Sequence, residues 1–239
     1  MEETGNYLHL SGILTDTPVY GHEVFGEKFY YATLSVPRLS GAEDLLPVTI
    51  SERLMEGNHL DVGSPLCFEG QLRSYNKVIE GAGRLLITGF AQRLLDPDTE
   101  ENPNQVQLTG ALCKPPSYRT TPFGREIADL MLAVNRAYGK SDYIPCITWG
   151  RTARFASHLK VGDKVTLLGR FQSRAYQKQL ADGTVLNKTA YEVSVGRLSM
   201  AEQIVQPTVP FIIRQNQRED VPMHYDAPPA DASVFGNPQ

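Results

Sequence analysis

Residues 165–174 alternate apolar and polar side chains with the period of two expected of a half-buried strand. Val165, Leu167 and Phe171 fall on one face, while Arg170, Gln172, Arg174 and, on extension, Tyr176 fall on the other. One face is core and the other is basic, a surface whose chemistry suits a polyanion. Tyr143 and Trp149 are six residues apart. Six is an even number, so an uninterrupted strand presents both rings on the same side. Catalytic or metal chemistry has little support. His9, His22, His59, His158 and His224 show no metal-ligand spacing, and neither a phosphate-cradling GxxxxGK(S/T) run nor a GxSxG turn occurs. Cys67, Cys113 and Cys146 are odd in number and form no CxxC pair, so neither a disulfide framework nor a thiolate zinc site is expected. The expectation is a protein that is not an enzyme, with no cofactor and no metal, in a reducing compartment.

The elements that must hold these residues are duplicated. Sliding the chain by 98 places residues 6–47 over 104–145 without a gap, and 14 of the 42 positions are identical. Among them are Asn6/Asn104, Gly12/Gly110, Tyr20/Tyr118, Phe25/Phe123 and Arg38/Arg136. One inserted residue later, His59/His158, Gly63/Gly162, Gly70/Gly169 and Ser74/Ser173 follow in order, and Arg93/Arg197 close the copies. The 239 residues therefore divide into a copy at 1–103, a copy at 104–199 and a tail at 200–239. Charge divides with them: the first copy carries −9, the second +8 and the tail −3, within a total of −4. A polyanion is drawn to the second copy and repelled by the first, because the field near a surface follows local charge.

Within the second copy, strand-like runs at 106–113, 130–136, 143–149, 165–176 and 189–195 are separated by Pro, Gly and Asp-Gly punctuation. Residues 151–159 read as one short helix, and Asp182-Gly183 as the turn of a long hairpin. Five strands with a helix between the third and fourth are the pattern of the oligonucleotide-binding (OB) fold. The expected class is all-β with one short helix per copy, as two tandem five-stranded Greek-key barrels. The tail holds 6 of the 16 prolines and no leucine, and reads as mostly disordered, with an apolar patch at 209–213 that docks on a partner or covers a barrel. No apolar run reaches the roughly 18 residues of a membrane span, and residues 1–7 lack the character of a signal peptide. A cytoplasmic, nucleoid-associated protein with no membrane contact is the expectation.

The motifs at 104–110 (NQVQLTG), 132–136 (LAVNR), 147–154 (ITWGRTAR) and 169–176 (GRFQSRAY) resemble, in order and spacing, those of bacterial single-stranded DNA-binding proteins. The resemblance covers 104–198 and extends more weakly, through the repeat, to 6–94. It implies sequence-independent binding of single-stranded DNA in replication, recombination or repair, with bases stacked on Tyr138, Tyr143, Trp149 and Tyr176. Arg119, Arg125, Lys140, Arg151, Arg170, Arg174 and Lys178 interleave with these rings as phosphate contacts. Tyr118, Phe123, Phe155 and Tyr191 are expected to fill core positions. In the first copy Ser40, Leu45 and Ser51 stand where Tyr138, Tyr143 and Trp149 do, so that copy reads as degenerate, with only Tyr75 as a match for Tyr176. Arg136 equals Arg38 in the copy expected not to bind, which suggests a structural role for both.

The family's habit of presenting four barrels together implies a homodimer of this two-barrel chain, with the first copy supporting the assembly. The family commonly ends in an acidic tip that recruits replication and repair proteins, whereas residues 234–239 read VFGNPQ. Such partners would then be met by the tail patch or by the acidic first copy. The same residues also fit two other functions: an RNA-binding module of the same fold, or an oligomeric scaffold using the basic face for protein contacts.

Overall fold

The alternation at 165–176 recurs in strand after strand of the computed structural model, which describes residues 5–79, 82–96, 102–136, 139–179 and 183–201. The first half comprises β1 (Asn6–Leu14), β2 (Val19–Val24), β3 (Glu27–Pro37), β4 (Glu43–Ser51), α1 (Glu52–Met55), β5 (Pro65–Ile79) and β6 (Ala82–Leu95). The second comprises β7 (Asn104–Leu112), β8 (Ser117–Thr120), β9 (Glu126–Asn135), β10 (Ser141–Trp149), α2 (Gly150–Ala156), β11 (Lys164–Gln179) and β12 (Val185–Met200). In the second half β7 pairs with β9 and β11, β9 with β10, β10 with β12 in parallel, and β12 with β11, which closes a barrel. The first half repeats every pairing. These are the two OB barrels and the single short helix of each that the repeat implied. Neither helix approaches the length or apolarity of a membrane span among the described residues.

Each barrel carries one short strand that hydrophobic alternation does not reveal. All four residues of β8 are exposed, so no period marks it. Leu112 pairs with Leu132 and Ser117 with Asp129, five residues against three, so β7 and β8 are one barrel strand interrupted at Lys114-Pro115-Pro116. Leu14 and Val19 repeat the break in the first barrel. The identical residues of the repeat now have causes. A Cβ on Gly110 would meet the carbonyl oxygen of Ala133 at 2.4 Å, and one on Gly12 that of Ser35 at 2.2 Å, so a side chain is excluded where the strands cross closely. The Asn104 amide bonds Phe171 O at 2.7 Å and accepts from Phe171 N–H at 2.8 Å, and Asn6 does the same with Leu72.

The barrels join edge to edge. β1 pairs antiparallel with β7, Leu8 opposite Val106, Asn6 opposite Leu108 and Leu10 opposite Asn104. Because residue 8 corresponds to 106 in the repeat, the register is that of a two-fold axis passing between Leu8 and Val106, the geometry of an isologous dimer within one chain. The buried apolar residues of both barrels form one cluster.

Flanking this seam, two fully buried carboxylates cross between the barrels. Asp44 accepts from Arg38 through Nε at 2.7 Å and Nη2 at 2.5 Å, from Arg170 Nη1 at 3.2 Å and from the backbone N–H of Ser173 at 2.7 Å. Asp142 accepts from Arg136, from Arg73 Nη1 at 3.3 Å and from Ser74 N–H at 2.5 Å. Arg38 Nη2 then donates to Ser173 O at 2.9 Å, and Arg136 Nη2 to Ser74 O at 2.9 Å. Burial, and secondly the nearby Arg136, hold the Arg73 guanidinium below its ordinary pKa. Each buried carboxylate accepts several hydrogen bonds, which is what a buried charge requires.

Candidate nucleic-acid interface

The core of the second barrel fixes which residues face outward. Leu130, Leu132, Val134, Ile144, Cys146, Phe171 and Val193 are buried inside. By register, their neighbours Asp129, Met131, Tyr143, Trp149, Arg170, Gln172, Arg174, Tyr176 and Glu192 share the outer face. Tyr143, Trp149 and Tyr176 are 46%, 40% and 39% exposed there, enough to offer a ring face to a planar ligand. Trp149 ends β10 and occupies the N-cap position of α2 without a side-chain capping bond. Beside it lies a groove of about 370 Å³, lined by Trp149, Arg170, Gln172, Ser173, Arg174, Ser194 and, from the first barrel, Arg38.

The cations differ in how they are held. Arg174 makes a bidentate pair with Glu192, at 2.9 and 3.1 Å, and its guanidinium lies 5.9 Å from the Tyr176 ring centroid. The hydrogen bond to Glu192 raises the pKa of Arg174, so its charge is secure. Arg119 pairs with Asp129 at 2.9 Å. Arg170 is divided between Asp44 of the first barrel and Gln172 Oε1, the latter at 3.0 Å, so it belongs to the seam as well as to the groove. Arg125, Lys140 and Arg151 are exposed and form no ion pair among the described residues. Tyr138 lies outside the described residues, as do the side chain of Lys178, Asp182 of the hairpin turn and the tail patch at 209–213.

Three aromatics expected in the core are not there. Phe123 is 92% exposed at the tip of the β8–β9 hairpin, Tyr118 is 42% exposed with its hydroxyl on Glu126, and Phe155 is 41% exposed on α2. Identity between the copies misleads for Tyr118 and Phe123, because Tyr20 and Phe25 are 58% and 106% exposed as well. Tyr191 does pack on the core, 6.3 Å from Phe171 between ring centroids. The seam also shifts one equivalence: Ser74 and Ser173 play one role, so Tyr75 stands opposite Arg174 rather than Tyr176. Arg38 in the groove was missed because it comes from the other copy. The signal available for it was the recurrence of an Arg and an Asp six residues apart, Arg38/Asp44 and Arg136/Asp142.

A pair of OB barrels with exposed rings and guanidiniums on one face places the chain in the OB-fold class. Residues 103–201 match the family model described as "Single-strand binding protein family". Single-stranded DNA-binding protein B of Bacillus subtilis is 37% identical over 83 residues, 32% of this chain and 74% of that protein. Single-stranded DNA-binding protein 2 of Listeria innocua is 32% identical over 123 residues, 48% of this chain and 68% of that one. The chain belongs to the single-strand binding protein family. It spans only 48% of single-stranded DNA-binding protein A of Bacillus subtilis, to which it is 41% identical over 83 residues. The crystal structure of the wild-type single-stranded DNA-binding protein from Thermus aquaticus superposes with a TM-score of 0.64 at 24% identity, covering 83% of this chain and 93% of that one. That likeness establishes the fold across both barrels.

Proposed function

We propose that this protein binds single-stranded DNA without sequence preference, with 104–199 as its principal binding barrel and 1–103 as a barrel retained to complete the assembly. Bases stack on Tyr143, Trp149, Tyr176 and Tyr138, and phosphates run past Arg174, Arg170, Arg151, Arg125, Arg119, Lys140 and Lys178. The observation that carries this is the groove in which Trp149 lies beside Arg170 and Arg174, with two further exposed rings on the same outer face. Stacking tolerates any base because every base has a π-face, and the neighbouring guanidiniums supply the sequence-independent attraction. The named relatives are single-stranded DNA-binding proteins, which fits the same chemistry.

The protein acts in replication, recombination or repair, in the cytoplasm with the nucleoid, as a homodimer presenting four barrels. Its replication or repair partners meet the tail at 200–239 or the acidic first barrel. Competition between a labelled oligo-dT, matched RNA and duplex DNA for the full chain tests the ligand class. Preference for the DNA single strand supports the proposal, and equal or tighter binding of duplex overturns it.

A further inference from the structure

The groove of about 370 Å³ beside Trp149 takes one wall residue, Arg38, from the first barrel. Arg38 follows β3 in the turn to β4, and its backbone N–H bonds Ala42 O at 2.8 Å, so the turn holds it in place. Its guanidinium uses Nε and Nη2 to grip Asp44, and Nη2 again to reach Ser173 O. Nη1 has no hydrogen-bond partner among the described residues, and the side chain stays 27% exposed. Arg136 repeats the seam bonds with Asp142 and Ser74 O, but Ser51 stands at the place of Trp149 in that half of the pseudo-symmetry. Tying the barrels together is therefore common to both arginines, while the wall beside Trp149 is a place that Arg38 occupies and Arg136 does not.

The charges of the groove do not balance. Three guanidiniums line it, those of Arg38, Arg170 and Arg174, and two carboxylates are bonded to them. Glu192 neutralises Arg174, whereas fully buried Asp44 is shared by Arg38 and Arg170. One positive charge is left over. Without Arg38, Asp44 would balance Arg170, Glu192 would balance Arg174, and the groove would be neutral. A barrel whose residues sum to −9 thus supplies the surplus cation in the groove of its neighbour. A phosphate suits that surplus, because a guanidinium already held by a carboxylate loses little side-chain freedom when it donates to a second anion.

We infer that Arg38 contacts a phosphate of the strand whose base stacks on Trp149, so that the principal binding site is completed by the first barrel. It rests on the single-strand binding proposed above. The first barrel then serves the strand from the seam, through one cation.

Opposite substitutions at one ion pair test this. Arg38→Gln and Asp44→Asn each break the Arg38–Asp44 pair, but the first removes the surplus cation and the second adds to it. Binding of a short oligo-dT to the full-length chain is followed by Trp149 emission at several salt concentrations, with a thermal melt of each variant. Both variants should melt lower than the unaltered chain. Arg38→Gln is expected to weaken binding at least about threefold and to lower the slope of log affinity against log salt by about 0.7. Asp44→Asn is expected to bind at least as tightly as the unaltered chain at low salt, with no loss of slope. Weakening of both variants, or an unchanged affinity or slope in Arg38→Gln, overturns the inference and assigns Arg38 to the seam alone. Absence of any Trp149 response in the unaltered chain overturns single-strand binding itself. If either variant fails to fold, a crystal structure of the unaltered chain with the same oligomer decides the matter. A phosphate oxygen hydrogen-bonded to Arg38 supports the contact, and a strand bound at Trp149 without touching Arg38 overturns it.

Discussion

Asp142, a fully buried carboxylate of the second barrel, accepts a 2.5 Å hydrogen bond from the backbone N–H of Ser74 in the first. Asp44 and Ser173 repeat the contact at 2.7 Å across the pseudo-two-fold axis. Because Arg73 and Arg136 converge on the same carboxylate, removing it leaves two partly buried guanidiniums without their counter-ion. Asp142→Ala is therefore expected to destabilise the chain by about 3–5 kcal/mol. Chemical denaturation followed by circular dichroism and by Trp149 emission measures this. The two signals should move together to lower denaturant, since the seam joins both barrels into one cluster. A loss of less than about 1 kcal/mol would show the carboxylate to be dispensable.

Trp149→Ala should weaken single-strand binding by about 1–3 kcal/mol with little change in stability, since its ring is 40% exposed and stacks on no other ring among the described residues. Isothermal titration with oligo-dT alongside thermal melting checks both halves. A large fall in melting temperature with unchanged affinity would assign the ring to packing.

Arg151 and Arg170 should separate charge from architecture. Arg151 is exposed and forms no ion pair among the described residues, so Arg151→Ala should lower the slope of log affinity against log salt by about 0.7, without loss of stability. Arg170→Ala should also cost stability, because its Nη1 bonds buried Asp44. Salt titrations and urea melts of the two variants give the comparison, and equal stability losses would contradict it.

The faces at 143–149 and 165–176 were legible because a period of two needs no tertiary information, and the repeat exposed the barrel count. Contacts between copies were not legible: Arg170 meets Asp44 126 positions away, and no local pattern marks that. The first barrel shows the same limit. Comparing Ser51 with Trp149 correctly notes a lost ring, yet Phe90, on another strand, comes within 5.6 Å of Phe29 only after the barrel closes. The hairpin tips failed for a different reason, since identity at Phe25/Phe123 reports a shared turn and not a shared core.

Phe25 makes that last point testable. It has φ +50°, followed by Gly26 at φ +81°, the backbone of a two-residue hairpin turn that favours Asn-Gly. Phe25→Asn should leave stability unchanged or raise it by up to about 1 kcal/mol, as read by thermal melting. Destabilisation by more than that would show that the exposed ring has a packing partner.

The most direct test of single-strand binding is the emission of Trp149, the sole tryptophan of the chain, during titration with oligo-dT at several salt concentrations. Saturable quenching is expected as bases stack on the ring, with log affinity falling linearly against log salt at about −0.7 per phosphate contact. Emission that does not change on addition of the single strand, or an affinity insensitive to salt, would contradict it.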